Sequence, residues 1–364
     1  MRHSHPPALV GCIVAIVAAA RADDLRFTLT DLGHVPGYRI TQAYGLNRFG
    51  HAVLTAEYPF DSRDPEYQTF WHDGSALRPL FPSKATLASA HGINDLDQVA
   101  GTIGHERAFV WQASQMRKLE PLAGGSASWS FAINNAGQVA GGSYLDEQGL
   151  QYHAVRWEVD GTATDLGARP ERWSNGLVIN ERGHVVGYAA AEDYRAFAAL
   201  WRDGEMIELA TPGGRHSAFA LGINDHDEAV GVSYGRDSVR AVWWSRGQVA
   251  ELQTPDAFRS GANAINIAGA IVGYIQAEGQ RARATLWRGG KRYDLTDLLV
   301  PLGDWAVVNA LDINESGWIV GTALHDGKYH GVLLKPVPEP VTAFLTSPGV
   351  LVLLRRARCH LAWG

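Results

Sequence analysis

The sequence predicts an all-β fold, a β-propeller of seven four-stranded blades closed by the N-terminal strand, and three observations predict it. A short apolar-Asn segment recurs seven times. Each copy is followed by an apolar strand that usually ends in tryptophan and then by a leucine strand. The last copy lacks a fourth strand, and the start of the chain carries a spare one.

The first element places Asn47, Asn94, Asn134, Asn180, Asn224, Asn266 and Asn314 at intervals of 40 to 48 residues. Six copies reach glycine seven residues later: Gly101, Gly141, Gly187, Gly231, Gly273 and Gly321. The first copy has Leu54 there. Between Asn and this strand lie Asn, Asp and Gly, the residues that tight hairpin turns require because they tolerate positive φ. The second element carries Trp71, Trp111, Trp157, Trp201, Trp244 and Trp287, and Leu334 in the last copy. Six recurring tryptophans read as core pegs between blades. The third element is marked by Leu80, Leu119, Leu166, Leu209, Leu252 and Leu295, and its seventh member is Phe27–Leu32. Four strands per repeat of about 44 residues is the period of a propeller blade. Pairing the spare strand with the last repeat closes the ring and leaves no long sheet edge open.

Composition agrees. Of 364 residues, 46% are hydrophobic and 19% charged, which suits a packed core rather than disorder. A net charge of −6 gives no basic footprint, so nucleic acid is not an expected partner. The two cysteines, Cys12 and Cys359, both lie in terminal segments, so the body has no disulfide framework.

The ends read as addresses. Residues 1–22 have the order of a secretory signal: Arg2, an apolar run from Leu9 to Ala20, then Ala20 and Ala22 at the cleavage positions. Residues 23–336 hold the repeats. Residues 337–364 open with Pro338, Glu339 and Pro340, continue through an apolar stretch, and reach Arg355, Arg356 and Arg358. Apolar residues that enter a bilayer while arginines hold the cytoplasmic side suit transient anchoring.

That tail resembles the PEP-CTERM sorting signal of exported bacterial proteins. The resemblance implies processing by an exosortase-type membrane enzyme and a cell-surface or extracellular location in a Gram-negative-type bacterium. Pro348-Gly349 interrupts the apolar stretch, and six residues trail the arginines. The repeats resemble the extracellular HAF family. The His-Ala-Phe element survives in forms such as Arg107-Ala108-Phe109 and His153-Ala154-Val155, and Ile133-Asn134-Asn135-Ala136-Gly137-Gln138-Val139-Ala140-Gly141 follows the family pattern more closely. The family carries no settled biochemical activity.

No catalytic motif, phosphate loop or paired-histidine spacing is present, and no cofactor or metal is expected. The seven asparagines read as turn openers rather than as a ring of ligands. Asp95 with Asp97, and Asp225 with Asp227, alternate as calcium ligands do. Corresponding turns carry Arg48 or Ile267, which excludes a repeat-wide array. Asp61, Asp146, Glu192 and Asp304 are the carboxylates that separate blades could assemble into a polysaccharide hydrolase or lyase site.

Strand order places the tight turns on one face and the longer, variable connections on the other, where binding is expected. The ligand-binding candidates there are Tyr58, Trp129, Tyr144, Trp173, Phe258 and Trp305, with Arg63, Arg172, His216 and Arg259 among them. Aromatic rings beside hydrogen-bonding groups suit sugars and also protein surfaces. The expectation is a non-catalytic binding or scaffold protein of the cell surface or biofilm matrix, with exopolysaccharide or another surface protein as partner.

Overall fold

The computed structural model describes residues 25–57, 67–81, 87–104, 106–149, 151–167, 172–213, 215–254 and 257–338, and Arg26–Pro336 form one compact unit. The described residues contain strands and turns and no helix. Seven inner strands, Ile40–Leu46, Ala88–Ile93, Ser128–Ile133, Ser174–Ile179, Ser217–Ile223, Arg259–Ile265 and Ala306–Ile313, each begin an antiparallel four-stranded blade. We number the blades 1 to 7 in that order. The outer strand of blade 7 is Phe27–Gly33, which pairs antiparallel with Lys328–Pro336, from Phe27 opposite Pro336 to Gly33 opposite Gly331. The spare strand therefore does complete the last blade. Leu298 and Val300 hold it from its other side: Phe27 N donates to Leu298 O at 2.9 Å and Val300 N to Phe27 O at 2.8 Å.

Each inner strand ends at its asparagine, and the seven asparagines are buried. Every Oδ1 accepts the backbone N–H four residues on, at 2.9–3.1 Å, which fixes the turn. The fourth residue of the turn has positive φ throughout: glycine in five blades, Asp97 (57°) and Asp227 (60°) in the others. Every Nδ2 donates to the backbone carbonyl of the next blade's asparagine at 3.0–3.2 Å, and the seventh link runs from Asn314 to Asn47. The turn-opening role is borne out, and the same side chain also joins neighbouring blades into a closed ring.

A register shift interrupts every inner strand two to four residues before its asparagine, for example between Ser130 and Ala132. The bulge presses a carbonyl of the inner strand against the second strand. A Cβ on Gly141, Gly187, Gly231 or Gly273 would lie 1.9–2.0 Å from such an oxygen, so these positions admit only glycine. Blade 1 has Leu54 instead, and its side chain occupies space that Gly331 of blade 7 leaves open.

The tryptophans are core pegs, as expected. Trp157 packs with Ala100, Ala108 and Leu119 of the preceding blade, and Trp244 with Val186, Ala198 and Leu200 of its own predecessor. Three of them reach the far edge of the preceding blade: Trp157 Nε1 donates to Glu120 O at 2.8 Å, Trp244 Nε1 to Ala210 O at 2.7 Å and Trp287 Nε1 to Gln253 O at 3.2 Å. Burying about 200 Å² of indole stabilises each interface by at most roughly 5 kcal/mol.

Replacing Asn180 by Ala removes two turn hydrogen bonds to its Oδ1 and two inter-blade hydrogen bonds from its Nδ2 in a buried site. The expected loss is about 3 kcal/mol in urea unfolding. A loss below about 1 kcal/mol would show that the ring does not hold the blades.

Candidate functional site

The bulge turns one residue per blade toward the axis. Tyr44, His91, Phe131, Leu177, Leu221, Asn263 and Leu311 line a central channel of about 460 Å³. Its waist is mostly apolar: Tyr44 meets His91 edge-on with ring centroids 4.9 Å apart, and His91 meets Phe131 at 5.6 Å. Burial pushes His91 down to about 4, so the imidazole is neutral.

At the tight-turn mouth, the residue after each asparagine forms a second ring. Arg48 N donates to Asp95 Oδ1, Asp95 N to Asn135 Oδ1, Asn135 N to Glu181 Oε2, Glu181 N to Asp225 Oδ1 and Ile267 N to Glu315 Oε2, all at 2.8–3.0 Å. Arg48 and Ile267 offer no acceptor, and the ring breaks there. Burial, with Asp225 and Asp95 close by, lifts the Glu181 carboxyl above its ordinary range. The two aspartate pairs that resembled calcium ligands thus have inter-blade partners. Asp95 and Asp225 accept backbone N–H groups, Asp97 binds His51 Nδ1 at 2.7 Å, and Asp227 binds His184 Nδ1 at 2.7 Å.

The opposite mouth, framed by the longer connections, carries the aromatic residues. From blade 3 to blade 5 they form one continuous arc. Trp129 packs edge-on to Tyr144 at 5.2 Å and Tyr152 at 5.6 Å, and Tyr152 stacks on Trp173 at 6.0 Å. Trp173 meets Tyr188 at 5.7 Å, Tyr188 meets Phe219 at 4.8 Å, and Phe219 meets Tyr234 at 5.4 Å. The rings are half-buried, and Tyr234 is exposed. Buried Asn175 fixes two of them: its Oδ1 accepts from Trp129 Nε1 at 3.0 Å and its Nδ2 donates to Tyr188 OH at 3.2 Å. Burial, followed by the neighbouring Tyr188, raises the Tyr152 phenol, so it stays a neutral hydroxyl.

Three of the six sequence candidates, Trp129, Tyr144 and Trp173, are brought together here. Two are not part of the arc. Phe258 is exposed on blade 6 with the Arg259 guanidinium 5.4 Å from its ring centre. Trp305 stacks on His325 at 4.2 Å, near the blade 7 seam where His330 Nδ1 lies 3.1 Å from Asp31. Tyr58 lies outside the described residues, as do Asp61, Arg63, Ala20, Ala22, Glu339, Pro340, Arg355, Arg356 and Arg358. Tyr152, Tyr188, Phe219 and Asn175 lie outside the six sequence candidates; like Trp129 and Tyr144, they sit on strands. Their signal is positional: Trp129, Asn175 and Phe219 all stand five residues before a ring asparagine.

Of the four candidate carboxylates, Asp146 and Glu192 lie after the second strands of blades 3 and 4, and Asp304 precedes blade 7. Asp304 sits 3.4 Å from His325 Nδ1, and with Asp326 these three form a group whose ligand atoms are within 4.8 Å of one another. Both aspartates are largely exposed, and Trp305 covers one face of the imidazole.

A buried acid crosses the closing interface. Asp312 Oδ2 accepts from Leu46 N at 2.9 Å, and burial pushes the carboxyl up to about 6. The folded state holds this proton more tightly than the unfolded chain, so the contribution is present in acid and lost as pH rises through about 6. Wild type should therefore gain up to about 3 kcal/mol over Asp312→Asn as pH falls from 7 toward 4. Thermal melts of both across that range check it; parallel curves would contradict it.

No protein-family model matches the chain, and no curated protein matches it in sequence. Among solved structures, the β-propeller domain of the Trilobed protease from Pyrococcus furiosus is similar with a TM-score of 0.53 at 9% identity, covering 86% of this chain and 100% of that one. A puromycin-hydrolyzing peptidase of Mycobacterium tuberculosis is similar with a TM-score of 0.52 at 12% identity, covering 85% of this chain and 53% of that one. A chain of the mitotic checkpoint complex matches with a TM-score of 0.50 at 13% identity over 92% of this chain and 97% of that one. These likenesses establish the fold: the chain is a β-propeller.

Proposed function

We propose that this propeller is an exported protein of the cell surface or biofilm matrix that binds polysaccharide without cleaving it. The observation that carries the reading is the unbroken aromatic arc from Trp129 to Tyr234, interleaved with Asn175 and tyrosine hydroxyls. Ring faces and hydroxyl-directed hydrogen bonds are the two contacts a sugar chain offers. The secretory order of residues 1–22, the PEP-CTERM-like tail and the HAF-like repeats support export and an exosortase-type processing partner.

The arc is held from below. Trp129 lies over Gly142, where a Cβ would come within 2.6 Å of the indole, and its N–H is committed to Asn175. Such rings are pre-organised, so little side-chain entropy is lost when a ligand settles on them.

Affinity electrophoresis in the producing organism's surface polysaccharide tests the reading. Wild type should be retarded. Trp173→Ala with Tyr234→Ala should weaken binding roughly tenfold or more, at about 1 kcal/mol per ring. Leu96→Ala, an exposed change on the tight-turn face, should bind as wild type does. Unretarded wild type would overturn the reading, and new reducing ends or unsaturated products would replace it with a hydrolase or lyase.

A further inference from the structure

The aromatic arc leads toward a cavity that contains a different kind of chemistry. Beyond Tyr234, Tyr274 of blade 6 begins the lining of a cavity of about 380 Å³ shared by blades 6, 7 and 1. That size falls within the roughly 300–1,000 Å³ of small-ligand sites. Its wall combines apolar surface from Ile40, Ala282 and Val308 with the polar groups of Gln42, Tyr274, Arg281, Asn309, Thr322 and Tyr329.

Arg281 lines the cavity, and Arg259 lies near its edge residue Tyr274 without lining it; neither has an ion-pair partner among the described residues. Arg281 is exposed on the lining. Arg259 spreads its guanidinium over Phe258 and lies close enough to Tyr274 to offset part of the upward push that burial and Tyr234 give that phenol. On a chain of net charge −6, an arginine that lines a cavity and has no carboxylate partner offers a place for an anion.

The floor of the cavity asks for a hydroxylated ligand. Thr322 is 2% exposed, lines the cavity, and its Oγ1 has no hydrogen-bond partner among the described residues. A buried hydroxyl left unpaired costs about 1–3 kcal/mol unless a ligand or water completes it. The Asn309 Oδ1 is taken by Asn263 Nδ2 at 2.9 Å, which leaves the Asn309 Nδ2 to donate. Neutral hydroxyls and amides behind a guanidinium match one sugar ring carrying one carboxylate, not a bare phosphate.

We propose that this cavity is a subsite for a uronic acid residue of the polysaccharide bound along the arc, with Arg281 facing the carboxylate and Thr322 and Asn309 facing ring hydroxyls. The inference rests on the arc being a sugar platform, and its test separates the two.

Full-length protein is titrated with an oligogalacturonate and with a cello-oligosaccharide of equal length, at low salt. Wild type should prefer the acidic oligomer at least tenfold, and the preference should shrink as salt is raised. Arg281→Ala should bring the two affinities within about threefold while neutral binding stays unchanged. Thr322→Val should weaken the acidic oligomer alone. Glucuronate should compete, and inorganic phosphate should not. Equal wild-type affinities, a preference that survives Arg281→Ala, or competition by phosphate as strong as by glucuronate would overturn the subsite and leave the arc standing. Binding of neither oligomer would overturn both.

Discussion

Each inner strand ends at a buried asparagine whose amide does two things at once. The oxygen closes the local turn, and the nitrogen reaches the carbonyl of the next blade's asparagine. Neither role tolerates substitution. An aspartate would lose the donor, and a glutamine would carry the amide one methylene too far. Because the seventh link returns to the first asparagine, the ring fixes the number of blades as well as their spacing. The bulged inner strands, the glycines opposite them and the waist of the channel all follow from holding seven turns around one axis.

Much of this fold was legible in the sequence because it is written seven times. Turn chemistry, tryptophan pegs and the borrowed outer strand each depend on residue types that stand out by eye. The inter-blade half of the asparagine's role was not legible. Its partner is a backbone carbonyl 40 to 48 residues away, and carbonyls leave no mark on a sequence. The partners of the acidic residues at the tight-turn mouth were hidden for a related reason. Asp97 and Asp227 stand where other blades use glycine, and their carboxylates answer His51 and His184 of the preceding blades rather than a cation.

The site was legible in part. Searching the variable connections found Trp129, Tyr144 and Trp173, which do meet. It passed over Tyr152 and Tyr188, which were read as ends of variable connections, and over the strand residue Phe219. In a propeller the ends of inner strands surround the mouth, so a strand position five residues before the asparagine is half surface. Trp305 stands apart from the arc, stacked on His325 4.2 Å away, and nothing in the sequence shows that pairing.

The histidine–aspartate pairs give the seven-fold ring an unequal set of joints. Where the turn of one blade carries histidine at its fifth position, the next blade carries aspartate at its fourth: His51 with Asp97, His184 with Asp227. The remaining junctions use glycine and neither partner. Blades 2 and 5 thus share one kind of socket and blades 1 and 4 one kind of plug. An exchange of blades 2 and 5 would preserve both pairs, whereas moving either elsewhere would strand a carboxylate in a half-buried turn. The repeats look interchangeable as modules, yet two of the seven junctions carry matched edges that restrict which blade can follow which.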